Sequence, residues 1–422
     1  MHSKVKKTIA VALVVMMLGG IPGLVGCGDN GGGGGGDEIV VGILADFTGP
    51  AALAVQSYVF GAQDYFRYAQ EQGLTSGVNI KTVTYDQRSD PARVPSGYQW
   101  LKGQGTDVLF VISPTDLSIL EDRVAADKMP TVGAHCSEDN PAASYIYGWW
   151  PTQSSEGEAE MEWIISDWDY EGTGRSPKVG YQTWTLPSAQ FFMSGFQVVL
   201  DANPGKVDWQ GMNKAPTSTT SWAPEIQQFI NCDYILCTMV GSTLASFVAE
   251  ARQRGYTGKF VTGTSGFPGY FELVIDRVAS PDELDGCYFV MASPFYNDDL
   301  PMVKAFLQAY AEYRPSVTYQ HLVEGDTGPM GGWICGMIIV KALTNAMETL
   351  GVENLTGEAV ESALASLDVT VEGFSPNNKY WFPTGYHAAI RAYLAYECLV
   401  VDDEWKVITS EWIVPPELEP YQ

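Results

Sequence analysis

Short β-branched apolar runs alternate with longer stretches of helical periodicity along most of this chain. The first run, Ile39-Val40-Val41-Gly42-Ile43-Leu44-Ala45, reads as a strand buried on both faces of a parallel sheet. It breaks into the polar turn Asp46-Phe47-Thr48-Gly49-Pro50 and then into a helical pattern reaching Gln72. Thr48 is placed to cap that helix, and Pro50 to occupy its first turn, where a missing N–H costs nothing. Leu53, Val55, Tyr58, Val59, Tyr65 and Phe66 leave it apolar on one side, and Gly73 marks its stop. A strand, a polar loop and a helix N-terminus together form a place for a small polar ligand, because donor N–H groups point out there.

That unit recurs. Strands are predicted at 78–85, 108–112 and 131–134, with helices at 91–102 and from Ser113-Pro114-Thr115 to Ala126. Tyr145-Ile146-Tyr147-Gly148-Trp149-Trp150-Pro151 reads as a strand leaving the series, its aromatics as core and interface packing. A second series follows, with strands at 179–183, 234–240, 259–262 and 287–291. Its helices are predicted at 156–168, 188–200, 224–230 and 244–254. Helices at 301–313 and 333–350 come next, then one capped by Thr356 through 367, and finally strands at 388–401 and 405–408. At 422 residues the chain is too long for one ordinary core. The fold class is therefore α/β, with two doubly wound Rossmann-like lobes.

The first residues carry an address. His2 to Lys7 is basic, Ile9 to Leu18 is apolar, and Leu24-Val25-Gly26-Cys27 reads as a lipobox in which Cys27 takes a lipid. Glycines and Pro22 cut the apolar run short of the ~20 residues that a spanning helix needs. Residues 1–26 are thus expected to be a lipoprotein signal peptide, and 27–37 a lipidated cysteine with a glycine-rich tether. Removing Lys4, Lys6 and Lys7 takes the formal charge from −26 to −29. So acidic a chain argues against nucleic acid as a partner. Membrane contact is expected through the lipid anchor alone. Of the seven cysteines, those after Cys27 lie mostly in apolar runs and read as buried small hydrophobes rather than a disulfide framework.

Several stretches, taken in order, resemble one family. Gly42-Ile43-Leu44-Ala45-Asp46-Phe47-Thr48-Gly49-Pro50 is similar to the opening of the type I periplasmic solute-binding proteins, in particular the leucine/isoleucine/valine-binding group of ABC importers. Gly286-Cys287-Tyr288-Phe289-Val290 with Ser293-Pro294-Phe295 resembles that family's returning strand. Val303 to Tyr313 with Arg314-Pro315-Ser316 resembles its next helix. Glu372-Gly373-Phe374-Ser375-Pro376, Gly385-Tyr386-His387 and Tyr393-Leu394-Ala395 resemble its closing segment. The resemblance implies two lobes joined by three crossings and a hinge, with residues 38–150 and 293–372 in lobe 1 and 151–292 and 373–422 in lobe 2. It also implies that the chain captures a small molecule without breaking a bond and delivers it to an ABC permease driven by ATPase subunits.

Doubly wound sheets bind ligands beyond the carboxyl ends of their strands. The expected ligand-binding residues are therefore Asp46, Thr48, Ser113, Thr115, Ala134, His135 and Cys136 in lobe 1, with Trp184, Ser242, Thr264 and Ser265 in lobe 2. By resemblance, Ser113 receives a ligand carboxylate, and Trp184 covers the ligand. Cys136 departs from a family hydroxyl. Thr264 and Ser265 fall where amino-acid binders often place an acid; Asp46 or Glu324 could substitute. Each has a plainer reading: Ser113 as a helix cap, Asp46 as a loop acid, His135 as a satisfied loop histidine, Trp184 as packing. None of these loops contains lysine or arginine, so a zwitterionic or neutral ligand is expected rather than a phosphate or dicarboxylate. An aromatic cage for a quaternary ammonium is the rival pocket.

Other classes have little support. Gly263-Thr264-Ser265-Gly266-Phe267 resembles a nucleophile elbow but has Phe267 where the second glycine is required. No P-loop, C-x-x-C or metal-ligand spacing occurs, so no catalytic residue, cofactor or metal is expected. A ligand sensor presenting its closed form to a membrane receptor would use the same clamp.

Overall fold

The structure is a computed structural model. It describes residues 38–49, 51–138, 140–186, 188–264, 266, 283, 285–293, 295–296, 298–316, 328–371, 379–382, 387–388, 392–399, 404–407 and 411–415. The lipobox and tether, with Cys27, and also Pro50, Ser265, His321 and Glu324, lie outside them.

Five parallel strands make the first sheet: β1 (Glu38–Ala45), β2 (Asn79–Asp86), β3 (Val108–Val111), β4 (Thr131–His135) and β5 (Ile146–Trp150). Their order is β2-β1-β3-β4-β5. Strand alternation sends Val41, Ile43, Val108 and Phe110 into one core cluster and Leu44, Leu109 and Val111 into another. Helix α1 (Ala52–Glu71) covers the first face, while α2 (Val94–Gly103) and α3 (Pro114–Asp127) cover the second. Apolar runs in these strands are continuous because both faces are buried.

The second sheet contains β6 (Lys178–Trp184), β7 (Asp208–Ala215), β8 (Tyr234–Cys237), β9 (Lys259–Thr262), β10 (Cys287–Met291) and, from the end of the chain, two more strands. We number these last β13 (Leu394–Leu399) and β14 (Glu404–Val407), after a two-stranded hairpin of β11 (Asp368–Thr370) and β12 (Lys379–Trp381). The order is β14-β13-β10-β9-β8-β6-β7, parallel from β7 to β10 and antiparallel beyond. Helices α4 (Gln153–Asp167), α5 (Tyr170–Thr173), α6 (Ser188–Ala202), α7 (Ala223–Phe229) and α8 (Gly241–Gln253) belong to this series. The two doubly wound sheets expected from the sequence are present.

The end of the chain touches both sheets. While β13 pairs with β10, Gly148 N–H donates to the His387 carbonyl at 2.8 Å, and Tyr147 stacks on the His387 ring at 4.2 Å. Helix α9 (Pro301–Tyr313) is tied to α1 by the half-buried pair Arg314–Asp64, at 2.6 Å. Helix α10 (Gly328–Leu350) lies along α1, and α11 (Gly357–Ala365) packs on α10. Close approach is what the glycines there permit: a Cβ on Gly332 would lie 1.8 Å from the Tyr58 carbonyl oxygen. By length and composition α10 could cross a membrane, but 83% of its most apolar window is buried, as befits a core helix.

Several expectations are corrected. Thr48 does not cap α1; its hydroxyl donates to Asp86 at 2.6 Å, and Ala51 holds the cap position without a side-chain bond. Helix α4 starts at Gln153, capped by Thr152, and α10 starts at Gly328, both earlier than the apolar pattern suggested. Strand β7 was not expected at all: its half-exposed polar sequence, DWQGMNKA, suits a sheet edge and carries no apolar run. The long strand expected at 388–401 is β13 alone among the described residues, with Ala388 bridging separately to Gly148. Thr356 does cap α11, accepting from the Ala359 N–H at 3.2 Å. Cys232, Cys237, Cys287 and Cys335 are free thiols and, like Cys136, are buried, as small hydrophobes are.

Candidate ligand-binding cleft

A cavity of about 340 Å³ opens at the carboxyl ends of both sets of parallel strands. From the first sheet come Ile112, Ser113 and Pro114 after β3, Ala134 and His135 at the end of β4, and Trp150 closing β5. Ala51, Val55 and Tyr58 reach in from α1. From the second come Trp184 at the end of β6, Leu186, Ser188 and Phe192 beyond it, Cys237 and Thr238 after β8, and Gly263 and Gly266 after β9. Gln153 and Glu156, in the first turns of α4, complete that wall.

Four expected site residues therefore line the cavity: Ser113, Ala134, His135 and Trp184. Ser113 is also a helix cap, its Oγ accepting from the Asp116 N–H at 3.3 Å. Five others stand away from the wall. Asp46 is buried and accepts from the Gly49 N–H at 2.5 Å, the Ala51 N–H at 3.0 Å and the Ser89 hydroxyl, so its carboxylate holds the loop before α1. Thr48 is engaged by Asp86, Thr115 is exposed, and Cys136 packs with Ala388 and Val414. Thr264 lies just behind the wall, where its N–H donates to Glu156 Oε1 at 2.5 Å. Ser242 sits in the first turn of α8, with its side chain outside the description, and Ser265 is likewise not described.

Glu156, Gln153, Trp150, Tyr58 and Phe192 were missed. Trp150 reads from sequence as packing, and it does pack, stacked on Trp149 at 4.2 Å and edge-on to Tyr58 at 6.2 Å. Its place at the end of β5 was the available signal. Glu156 gave none, since an acid in the first turn of a helix is ordinary.

Electrostatically the wall is unusual. Among the described lining residues there is no lysine or arginine. Burial pushes His135 down to about 4, against the pull of the Pro151 carbonyl, and so keeps it neutral. Because a carbonyl only accepts, the 3.0 Å contact with Pro151 puts the proton on His135 Nδ1. Burial likewise pushes Glu156 up to about 7, opposed by hydrogen bonds from Thr264. Glu160, one turn on, is held well above the usual range by burial and then by the Glu156 charge. Neither Glu160 oxygen has a hydrogen-bond partner, nor do Gln153 Oε1 and the indole N–H groups of Trp150 and Trp184. These atoms are themselves buried, so the surface the wall offers is mainly aromatic and aliphatic, which suits a small, mainly apolar molecule.

Two sheets that meet around a cavity at their strand ends define a ligand-capturing clamp. Residues 38–401 match the family described as periplasmic binding protein, and the chain belongs to that family. The type I resemblance read from the sequence holds. A branched-chain amino acid ABC transporter structure from Thermus thermophilus, with bound valine, has the same fold at a TM-score of 0.77 and 15% identity, covering 92% of this chain and 99% of that one. A fatty acid ABC transporter substrate-binding protein from Thermomonospora curvata matches at 0.73 and 18%, over 92% and 94%. A solute-binding protein of an R. palustris ABC transporter in complex with benzoate matches at 0.69 and 15%, over 90% and 97%. No curated protein sequence matches the chain.

Proposed function

We propose that this protein is the extracytoplasmic solute-binding component of an ABC importer, held to the membrane by a lipid on Cys27. Its ligand is small, with a largely apolar body and a zwitterionic or neutral polar end, like an amino acid or amide. The observation that carries this is the cavity walled by strand ends of both sheets, lined by Trp150, Trp184, Tyr58 and Phe192 and, among the described residues, by no lysine or arginine. A lone carboxylate needs no cation there, because Ser113 stands at a helix N-terminus that supplies donors. Valine, a fatty acid and benzoate, named for the similarly folded proteins, share an apolar body with one polar end. No bond is broken, and transport energy comes from the partner ATPase acting through the permease.

A thermal-shift screen of amino acids, their amides and small organic acids tests the reading, since a ligand of the folded state raises its melting temperature. Ser113→Ala and Trp184→Ala should each weaken binding about tenfold with the empty protein still folded, the Ser113 variant losing about 1 kcal/mol of stability with its helix cap. Full affinity in both variants would defeat the assignment. Cys27→Ala should release the protein from membranes, as fractionation with a labelled fatty acid would read. A sensor would use the same clamp, and pull-down of a receptor in place of a permease would favour it.

A further inference from the structure

Most polar side-chain atoms along the cavity wall are engaged or shut away. Ser113 Oγ accepts from the Asp116 N–H, and Glu156 Oε1 accepts from the Thr264 N–H. The Thr238 hydroxyl lies 2.7 Å from the hydroxyls of both Tyr181 and Thr183. Gln153 Oε1 and the indole N–H groups of Trp150 and Trp184 are sealed from solvent. His135 differs. Pairing of β4 with β5 sets it opposite Trp150, one residue from the Pro151 carbonyl that accepts from its Nδ1–H at 3.0 Å. Its ring leans on the Trp150 indole, with centres 5.2 Å apart. Nε2, the other nitrogen of that ring, has no partner among the described residues and is not one of the sealed atoms, so it opens on the cavity that His135 lines. With the proton fixed on Nδ1, Nε2 carries a lone pair and no hydrogen.

We propose that His135 Nε2 is the acceptor for an uncharged N–H or O–H donor on the ligand, a carboxamide or a hydroxyl, and so decides which polar ends the cleft admits beside β4. This rests on the solute-binding reading and selects, among its ligands, those bearing such a donor. A carboxylate or ether oxygen at that place would meet a lone pair with no proton between them. The ring could answer a carboxylate by taking a second proton, but burial opposes this and holds it down to about 4. An ammonium would find a neutral acceptor there, too little to offset the desolvation of a cation. An uncharged donor satisfies the lone pair without either cost, whereas a guest lacking one strips Nε2 of water and returns nothing. The Pro151 carbonyl and the Trp150 ring hold the imidazole in place from the first sheet and from the chain leaving it, so the acceptor is set before the ligand arrives.

The full-length protein would be titrated with benzamide against acetophenone and with benzyl alcohol against ethylbenzene, pairs of one shape that differ in the donor. The donor-bearing member of each pair should bind roughly tenfold more tightly. The amide of His135→Asn can keep the bond to Pro151 but ends short of the Nε2 position, so this variant should stay folded and lose the difference within each pair. His135→Gln carries an amide oxygen out to that position and should restore the difference in part. A merely structural role would weaken both members alike. Nitrogen NMR of the wild-type imidazole should show His135 protonated at Nδ1 and bare at Nε2 in the empty protein. Benzamide should shift the bare nitrogen, and acetophenone should leave it unmoved. Equal or tighter binding of the donor-free members, a difference that survives in His135→Asn, or a proton on Nε2 in the empty protein overturns the proposal and leaves the solute-binding reading intact. Binding of other solutes but of neither pair does the same. Failure of every amino acid, amide and acid overturns both.

Discussion

His135 and Glu156 both meet the cavity with their charged forms disfavoured by burial, and the consequences for stability have opposite sign. His135 sits at about 4 in the folded protein against 6.5 when free. Its contribution is present above pH 6.5 and lost as pH falls toward 4, about 3 kcal/mol in all. Glu156 sits at about 7 against 4.5. Folding therefore gains nothing from it at high pH: the stability it lends below pH 4.5 is lost as pH rises through 7, again about 3 kcal/mol. Melting of the empty Glu156→Gln variant should thus exceed wild type by about 3 °C at pH 8 and match it at pH 4. An equal shift at both values would disprove the buried, proton-holding state. At this scale sequence was a partial guide. Ser113, Ala134, His135 and Trp184 were legible because each follows or ends a recognisable strand. Asp46 had the right place but the wrong use, since backbone N–H groups close by consume its carboxylate.

Elements were most legible where a local period settled burial. The strands β1, β3 and β8 are near-continuous apolar runs, and α1 and α8 stop just before glycines. Strand β7 escaped because an edge strand owes its existence to the neighbour it pairs with, here β6, rather than to its own composition. The start of α10 escaped for a related reason: Gly331 and Gly332 argue against a helix until α1 is laid across them. Gly332→Val would push a side chain into the Tyr58 carbonyl, and should cost about 3 kcal/mol or more in denaturant unfolding. A loss below 0.5 kcal/mol would mean that the two helices have room the packing does not show.

For the whole molecule, the two sheets contribute opposite walls to one cavity, so a ligand that touches both has more contacts when they approach. A bound ligand should therefore reduce the radius of gyration measured by solution scattering, and Trp184→Ala should blunt that change more than it alters the empty protein. An unchanged radius at saturating ligand would point to a rigid receptor instead of a clamp. The fully buried aromatics of β5, Tyr147 and Trp149, stand where the chain crosses from the first sheet toward the second, which makes them candidates for carrying that motion.

Alternation of strand and helix, and with it two sheets with parallel cores and the ends at which ligands gather, is written in the residues themselves, because burial on one face or both leaves a period that neighbours in sequence share. The chemistry of the cavity is not written there. Glu156 and Thr264 are 108 residues apart, and only folding brings the N–H of one onto the carboxyl of the other. An acid at a helix start is solvated or buried, charged or neutral, according to what lies opposite. Here burial against the loop after β9 favours the neutral acid, in room that Gly263 leaves by having no side chain.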